Sequence, residues 1–173
     1  LHWEAVRGGL GRAKDKLVLG DGIAWIWNLK TDRWPDAREL LDFWHGGQHL
    51  WDLGRACHGM DELKAAPWVE ERLHWLRHGR EQSVLDEIRV LKDSRSQAGQ
   101  TIRKEKNYFA GHAQRMNYKE IAARGWPIGS GPVESSCRQD QCRFKRPGQS
   151  WTRSGFLNLS ALDEARRNNH WDQ

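Results

Sequence analysis

LVLGDGIAWIWNL, residues 17–29, is the stretch on which the reading of this chain turns. Lys16 to Gly20 is a short apolar run delivered from a charged segment and stopped by Gly20-Asp21-Gly22, which reads as a buried strand ending in a turn. Asp21 then stands at the C-terminal edge of that strand. Shaping a turn is the ordinary role of an Asp before Gly, so Asp21 needs further support before chemistry is assigned to it. Ile23 to Leu29 reads as a hairpin partner or a second short strand. Pro35 marks a break, and ARELLDFWH, residues 37–45, carries the chain into another element.

Working outward from there, a helix is expected from Gly46 to Cys57. Residues 60–114 are dominated by Glu, Arg, Lys, Leu and Trp at helical spacing, with Trp68, Leu73, Leu76, Val84, Ile88 and Leu91 at the apolar positions, and read as two or three helices. MNYKEIAARGWP, residues 116–127, is a short helix broken at Gly125 and Pro127. The turn at Gly129 to Gly131 then opens another helix: Ser130 or Gly131 caps it, Pro132 fits its first turn, and Glu134 lies where a carboxylate favours the positive end of the helix dipole, by ~0.3–1 kcal/mol. A last helix should cover roughly Gly155 to Asn168. There is no internal repeat and no low-complexity linker.

Composition bounds the partners. At 173 residues, 38% apolar and 29% charged, with 11 Trp, the chain suits one folded domain. A net charge of +5 makes a polyanion a reasonable partner, because Lys and Arg that neutralise phosphates release counterions. No apolar run approaches the ~20 residues that span a bilayer. Three cysteines, an odd number without a signal-peptide pattern, point to reduced thiols in a cytoplasm. The first residue is Leu rather than Met, which suggests a missing upstream segment.

The order of carboxylates is an Asp at the end of a short strand, then helices, then a Glu near a helix start about 110 residues later. Taken together, LVLGDGIAWIWNL, FWHGGQHLWDL preceded by ARELLD, YKEIAARGWPIGSGPVESSCR and RFKRPGQSW resemble the C-terminal part of DDE-type transposases of bacterial insertion sequences. The similarity is to the Mutator-like branch, which carries a helical insertion between its second Asp and its Glu, and it covers most of the chain in order. The resemblance implies an α/β class: a partial RNase H-like domain with a short mixed sheet and a large α-helical insertion. It assigns residues 1–52 to the core part bearing the second Asp, 53–117 to the insertion, and 118–173 to the core part bearing the Glu and the C-terminal helix. Asp21 and Glu134 would be the catalytic carboxylates and the ligands of Mg²⁺ or Mn²⁺, hard ions that suit oxygen donors. Asp42 and His45 fit the branch's signature of Cys or Asp, two residues, then His. The implied activity is cleavage and transfer of DNA strands at element ends by two-metal phosphoryl transfer, in a bacterial cytoplasm, with a homo-oligomer or a full-length transposase as protein partner.

Departures from the pattern accompany the matches. The first catalytic Asp has no counterpart among the twenty residues before Asp21, Asp15 being too close to it, so the chain reads as truncated. The alternative is a non-catalytic basic DNA-binding remnant or a regulator of a full-length transposase. Many such enzymes carry Lys or Arg seven residues after the Glu. Here that residue is Gln141, while Arg138 lies on the same face. Arg138, Arg143, Lys145 and Arg146 form the densest basic cluster, either a solvated helix face or a DNA contact. His45 and His49 have the i, i+4 spacing of helical zinc ligands, but Gly46 replaces the Glu that a metalloprotease motif requires, so helix-face histidines are the competing reading. Cys137 and Cys142 lack zinc-knuckle spacing and read as plain helix residues. Trp126 and Trp151 bracket the basic segment as packing wedges or as stacking platforms.

Overall fold

The structure, a computed structural model, describes residues 6–167. The chain divides into two compact units, Leu1–Ser130 and Gly131–Gln173.

In the first unit, strand β1 (Leu17–Gly20) pairs in parallel with β2 (Arg38–Leu41), Leu17 opposite Arg38 and Gly20 opposite Leu41. The strand expected at residues 16–20 is present. The hairpin partner expected at Ile23 to Leu29 is instead helix α1 (Ala24–Arg33). Two facts explain the correction. A parallel pair needs a crossover, which a tight turn cannot supply. In addition, residues two apart share a face on a strand but stand about 200° apart on a helix. Trp27 is 6% exposed and Trp25 58%, as only the helix allows. Among the described residues the sheet has these two parallel strands, where the resemblance led to a mixed sheet. The class is therefore α/β, with helix predominating.

Helices α2 (Phe43–Cys57), α3 (Glu62–Arg77), α4 (Glu81–Val90), α5 (Gln97–His112) and α6 (Tyr118–Ala123) complete the unit. The expected two or three helices between residues 60 and 114 are three. Side chains fix their starts: Asp42 caps α2, Asp61 caps α3 and Ser96 caps α5 by accepting first-turn amides. The Asp42 cap also explains why α2 begins before the expected Gly46.

Leu40, Leu41, Phe43, Leu50, Leu53, Val69, Val84 and Phe109 are fully buried in one cluster with Leu76, Met116 and Tyr118. Each large apolar side chain so removed from water contributes about 1.5–3 kcal/mol. Leu76, Val84 and Ile88 of the expected apolar set are buried, and Trp68, Leu73 and Leu91 pack on them half-buried. Arg72 is buried too. Its guanidinium binds Glu87 and the Trp68 carbonyl and lies 4.5 Å from the Trp68 ring and 5.1 Å from that of Trp75, joining α3 to α4 through charge and aromatic faces together.

The second unit contains α7 (Gly131–Phe144) and α8 (Arg153–Arg167). Both match the expected helices within the usual scatter at helix ends. Among its described residues, Phe144 and Asp163 are the buried ones. Phe144 packs edge-on against Phe156 and Trp151, with ring centroids 5.5 and 6.3 Å away. No helix among the described residues is long and apolar enough to cross a membrane.

Candidate functional site

The polar residues of the first unit gather where β1 and β2 end. Asp21 follows β1, and its Oδ1 accepts the Ile23 amide at 3.1 Å, the local turn that an Asp before Gly favours. Gly22 follows with φ +98°, and a Cβ there would stand 2.9 Å from His112 Nε2 and 3.2 Å from the Tyr108 hydroxyl. Glycine is thus required twice, by dihedral and by space. The Tyr108 hydroxyl donates to the Asp21 carbonyl at 3.3 Å, tying this turn to α5.

Asp42 follows β2 and is 3% exposed. Its backbone amide donates to the Gly20 carbonyl at 2.7 Å, so the two strand ends are joined. One carboxylate oxygen accepts the Trp44 and His45 amides at 2.8 and 2.9 Å, and the other accepts the Ser130 amide at 2.5 Å, from 88 residues away. The Phe43 amide donates to the Ile128 carbonyl at 2.9 Å beside it. Gly129 is needed here, because a Cβ would come within 2.7 Å of the Trp44 ring. Burial opposes the charge of Asp42, but the His45 amide, the Ser130 hydroxyl and amide and the Trp44 amide together outweigh it and hold the carboxyl below its usual range. Asp42 therefore clasps the start of α2 to the turn that leads into α7.

His45 lies edge-on to His49, with ring centroids 5.1 Å apart, and His49 stacks on Tyr108 at 3.6 Å. His49 Nδ1 meets Glu105 Oε2 at 2.6 Å, and Glu105 is fully buried. Its other oxygen lies 3.1 Å from Lys104 Nζ without the directionality of a hydrogen bond. Burial again works against the carboxylate, and His49 and Lys104 prevail, lowering the Glu105 carboxyl. Burial lowers His112, with Arg115, His49 and His45 acting the same way. Burial raises the Tyr108 hydroxyl, reinforced by Asp21, Glu105 and Asp42, so it stays a neutral donor. This polar wall lies beside Asp21, and sequence reasoning missed most of it. The signal was the spacing of Glu105, Tyr108 and His112, which places them along one face of α5.

Glu134 is exposed in the first turn of α7, so it belongs to the second unit while Asp21 belongs to the first. Arg138, Arg143, Lys145 and Arg146 are exposed in the second unit. Cys137 and Cys142 are free and exposed on α7. Trp126 packs half-buried on the core of the first unit, whereas Trp151 is 41% exposed and donates its indole N–H to the Phe144 carbonyl at 3.0 Å. Among the described residues no group of three or more His, Cys, Asp or Glu side chains is placed to hold a metal. Asp21 and Glu134 have donor chemistry suited to a hard cation, yet the described residues supply no complete cage. The chain matches no protein-family model, no curated protein and no solved structure.

Proposed function

We propose that this chain is the part of a DDE-type transposase that bears the second Asp and the Glu, and that its substrate is DNA. The observation supporting it best is that Asp21 directly follows a strand paired in parallel with another, whose own end passes through Asp42 and His45 into a helix. In open sheets with parallel strands, ligands bind outside the carboxyl ends of the strands. On this reading Asp21 and Glu134 take Mg²⁺ or Mn²⁺, which would activate the attacking oxygen and stabilise the leaving one. Asp42 and His45 are positioning residues, the basic residues of the second unit contact phosphate, and a second copy or a full-length transposase is the protein partner. The finer fold reading, an RNase H-like core with residues 53–117 inserted, belongs to the same proposal.

The test is a labelled-end cleavage gel beside a DNA-binding titration, on a protein that joins this chain to a strand bearing a third carboxylate. Glu134→Gln should abolish divalent-dependent cleavage and leave binding largely intact, since the amide keeps the shape and loses the charge. An active Glu134→Gln variant would remove Glu134 from the site. A second reading, a non-catalytic DNA-binding regulator, draws on the concentration of arginines in the second unit, which needs neither carboxylate. Binding without cleavage by the joined protein would select it.

A further inference from the structure

Arg143, Arg146, Arg166 and Arg167 line one groove of about 540 Å³ between α7 and α8, together with Gln149 and Trp151. Among the described residues no Asp or Glu lines it. The counter-charges lie outside the groove's lining: Asp163, 4% exposed, accepts Arg167 Nε at 2.7 Å and pairs with Arg143 at 3.2 Å and Arg166 at 3.3 Å, and Asp140 accepts a second Arg167 nitrogen at 2.7 Å. One buried carboxylate thus fixes three guanidiniums. Arg146 is fixed separately, its Nε donating to the Cys142 carbonyl at 2.6 Å and its amide to Gln149 Oε1 at 3.1 Å. Guanidiniums already held in place lose little freedom on meeting a ligand, and their fork geometry matches phosphate oxygens. The exposed indole of Trp151 offers an aromatic surface at the same groove. A cationic groove joined to an aromatic platform is the pairing that recognises single-stranded nucleic acid, where arginines follow the backbone and bases stack.

We propose that the α7–α8 groove binds single-stranded DNA, with phosphates on Arg143, Arg146 and Arg166 and a base on Trp151. This rests on the DNA reading above and sharpens it. Of the four basic residues picked out from the sequence, Arg143 and Arg146 belong to the groove, whereas Arg138 and Lys145 do not line it. Arg166, Arg167 and Trp151 join them, with Asp163 as the positioning residue.

The experiment is fluorescence anisotropy of the full chain with a labelled mixed-sequence single strand, and with its duplex, over a series of salt concentrations. Arg146→Gln and Arg166→Gln should each lower the slope of log affinity against log salt by about 0.7, the loss of one single-strand phosphate contact. Arg146→Lys, which keeps the charge, should retain most of the slope. Trp151→Ala should weaken single-strand binding about tenfold and leave duplex binding unchanged, with Trp151→Phe intermediate. Arg103→Gln, in the other unit, is the control for net charge. Melting curves confirm that each variant is folded, and a misfolded Trp151→Ala leaves the decision to Trp151→Phe. Wild-type slopes in both arginine variants, or a slope lowered equally by Arg103→Gln, would overturn the groove while leaving the DNA reading in place. Absence of DNA binding by the wild-type chain at low salt would overturn both.

Discussion

The two units reach stability by different routes. The first encloses a continuous apolar cluster, and its buried carboxylates are held within specific partner sets: Asp42 by three amides, Glu105 by His49 and Lys104. Among its described residues the second buries Phe144 and Asp163, one inside an aromatic trio and the other among three arginines. Apolar burial is indifferent to salt at ordinary concentrations, whereas ion pairs open to water are screened. A basic helical hairpin held by its own arginines therefore commits to stability the same groups that it offers to an anion. The first unit is expected to be the rigid body and the second the salt-responsive one.

The largest effect should come from the first unit's core. Phe109→Ala removes a fully buried ring and should cost about 3–5 kcal/mol in a urea titration, the usual range for a large cavity. A loss under about 1 kcal/mol would show that the apolar cluster does not carry this unit. Asp42→Asn comes next. Three amides converge on two carboxylate oxygens, and an Asn can accept on one side only, so its NH₂ would face the donors on the other. A cost of about 1.5–3 kcal/mol is expected, with faster hydrogen exchange at the Trp44, His45 and Ser130 amides. Unchanged exchange at Ser130 would dissolve the clasp.

Where the sequence was legible, a local signal decided the structure. The apolar run before Asp21 gives β1, heavy use of Leu, Glu and Arg gives α3 to α5, and the Gly-Ser-Gly-Pro turn gives the start of α7. Ile23 to Leu29 misled because a short run rich in Ile and Trp suits either period, and the tie was broken by β2 lying parallel, a tertiary fact. Asp42 was legible as part of a motif but not as a clasp, since its third donor lies 88 residues away. Glu105 passed for one more charge on a charged helix, and only the packing of α5 against α2 turns it inward to His49. Asp163 was hidden in the same way. Arg166 and Arg167 stand three and four residues on, a spacing equally common for exposed helix pairs, and only Arg143 from α7 marks Asp163 as buried.

The salt response should be smaller and concentrated in the second unit's ionic contacts, whereas acid also acts on the first unit through Asp42 and Glu105, whose carboxyls folding lowers as well. Burial raises the Asp163 carboxyl, but Arg143, Arg167 and Arg166 together outweigh it and leave it below its usual value near 3.8. A carboxylate lowered on folding adds stability that is present above its unfolded value and fades as pH falls through the folded one. Hydrogen exchange in α7 and α8 should therefore quicken below about pH 4, and molar salt at neutral pH should produce part of the same change. Asp163→Asn should reproduce it at neutral pH and remove most of the salt dependence. Equal quickening of β2 and α2 in molar salt would erase the distinction between the units.

The smallest effect tests the comparison from the other side, because the first unit has surface ion pairs as well. Glu120 of α6 lies 3.1 Å from Arg38 of β2 and 3.2 Å from Arg124, and the side chains are 50%, 42% and 37% exposed. Water already solvates all three groups, and each long side chain gives up rotamer freedom to meet its partner, so such contacts contribute about 0.2–1 kcal/mol when they contribute at all. Glu120→Ala should accordingly cost under about 1 kcal/mol in the titration used for Phe109→Ala, and less still in molar salt. The short helix it belongs to is held instead by Tyr118 and Ile121, 1% and 2% exposed. A cost above about 2 kcal/mol that disappears with salt would mean that charge, not apolar burial, fastens α6 to β2. The first unit would then be built on the same principle as the second, and the contrast between them would fail.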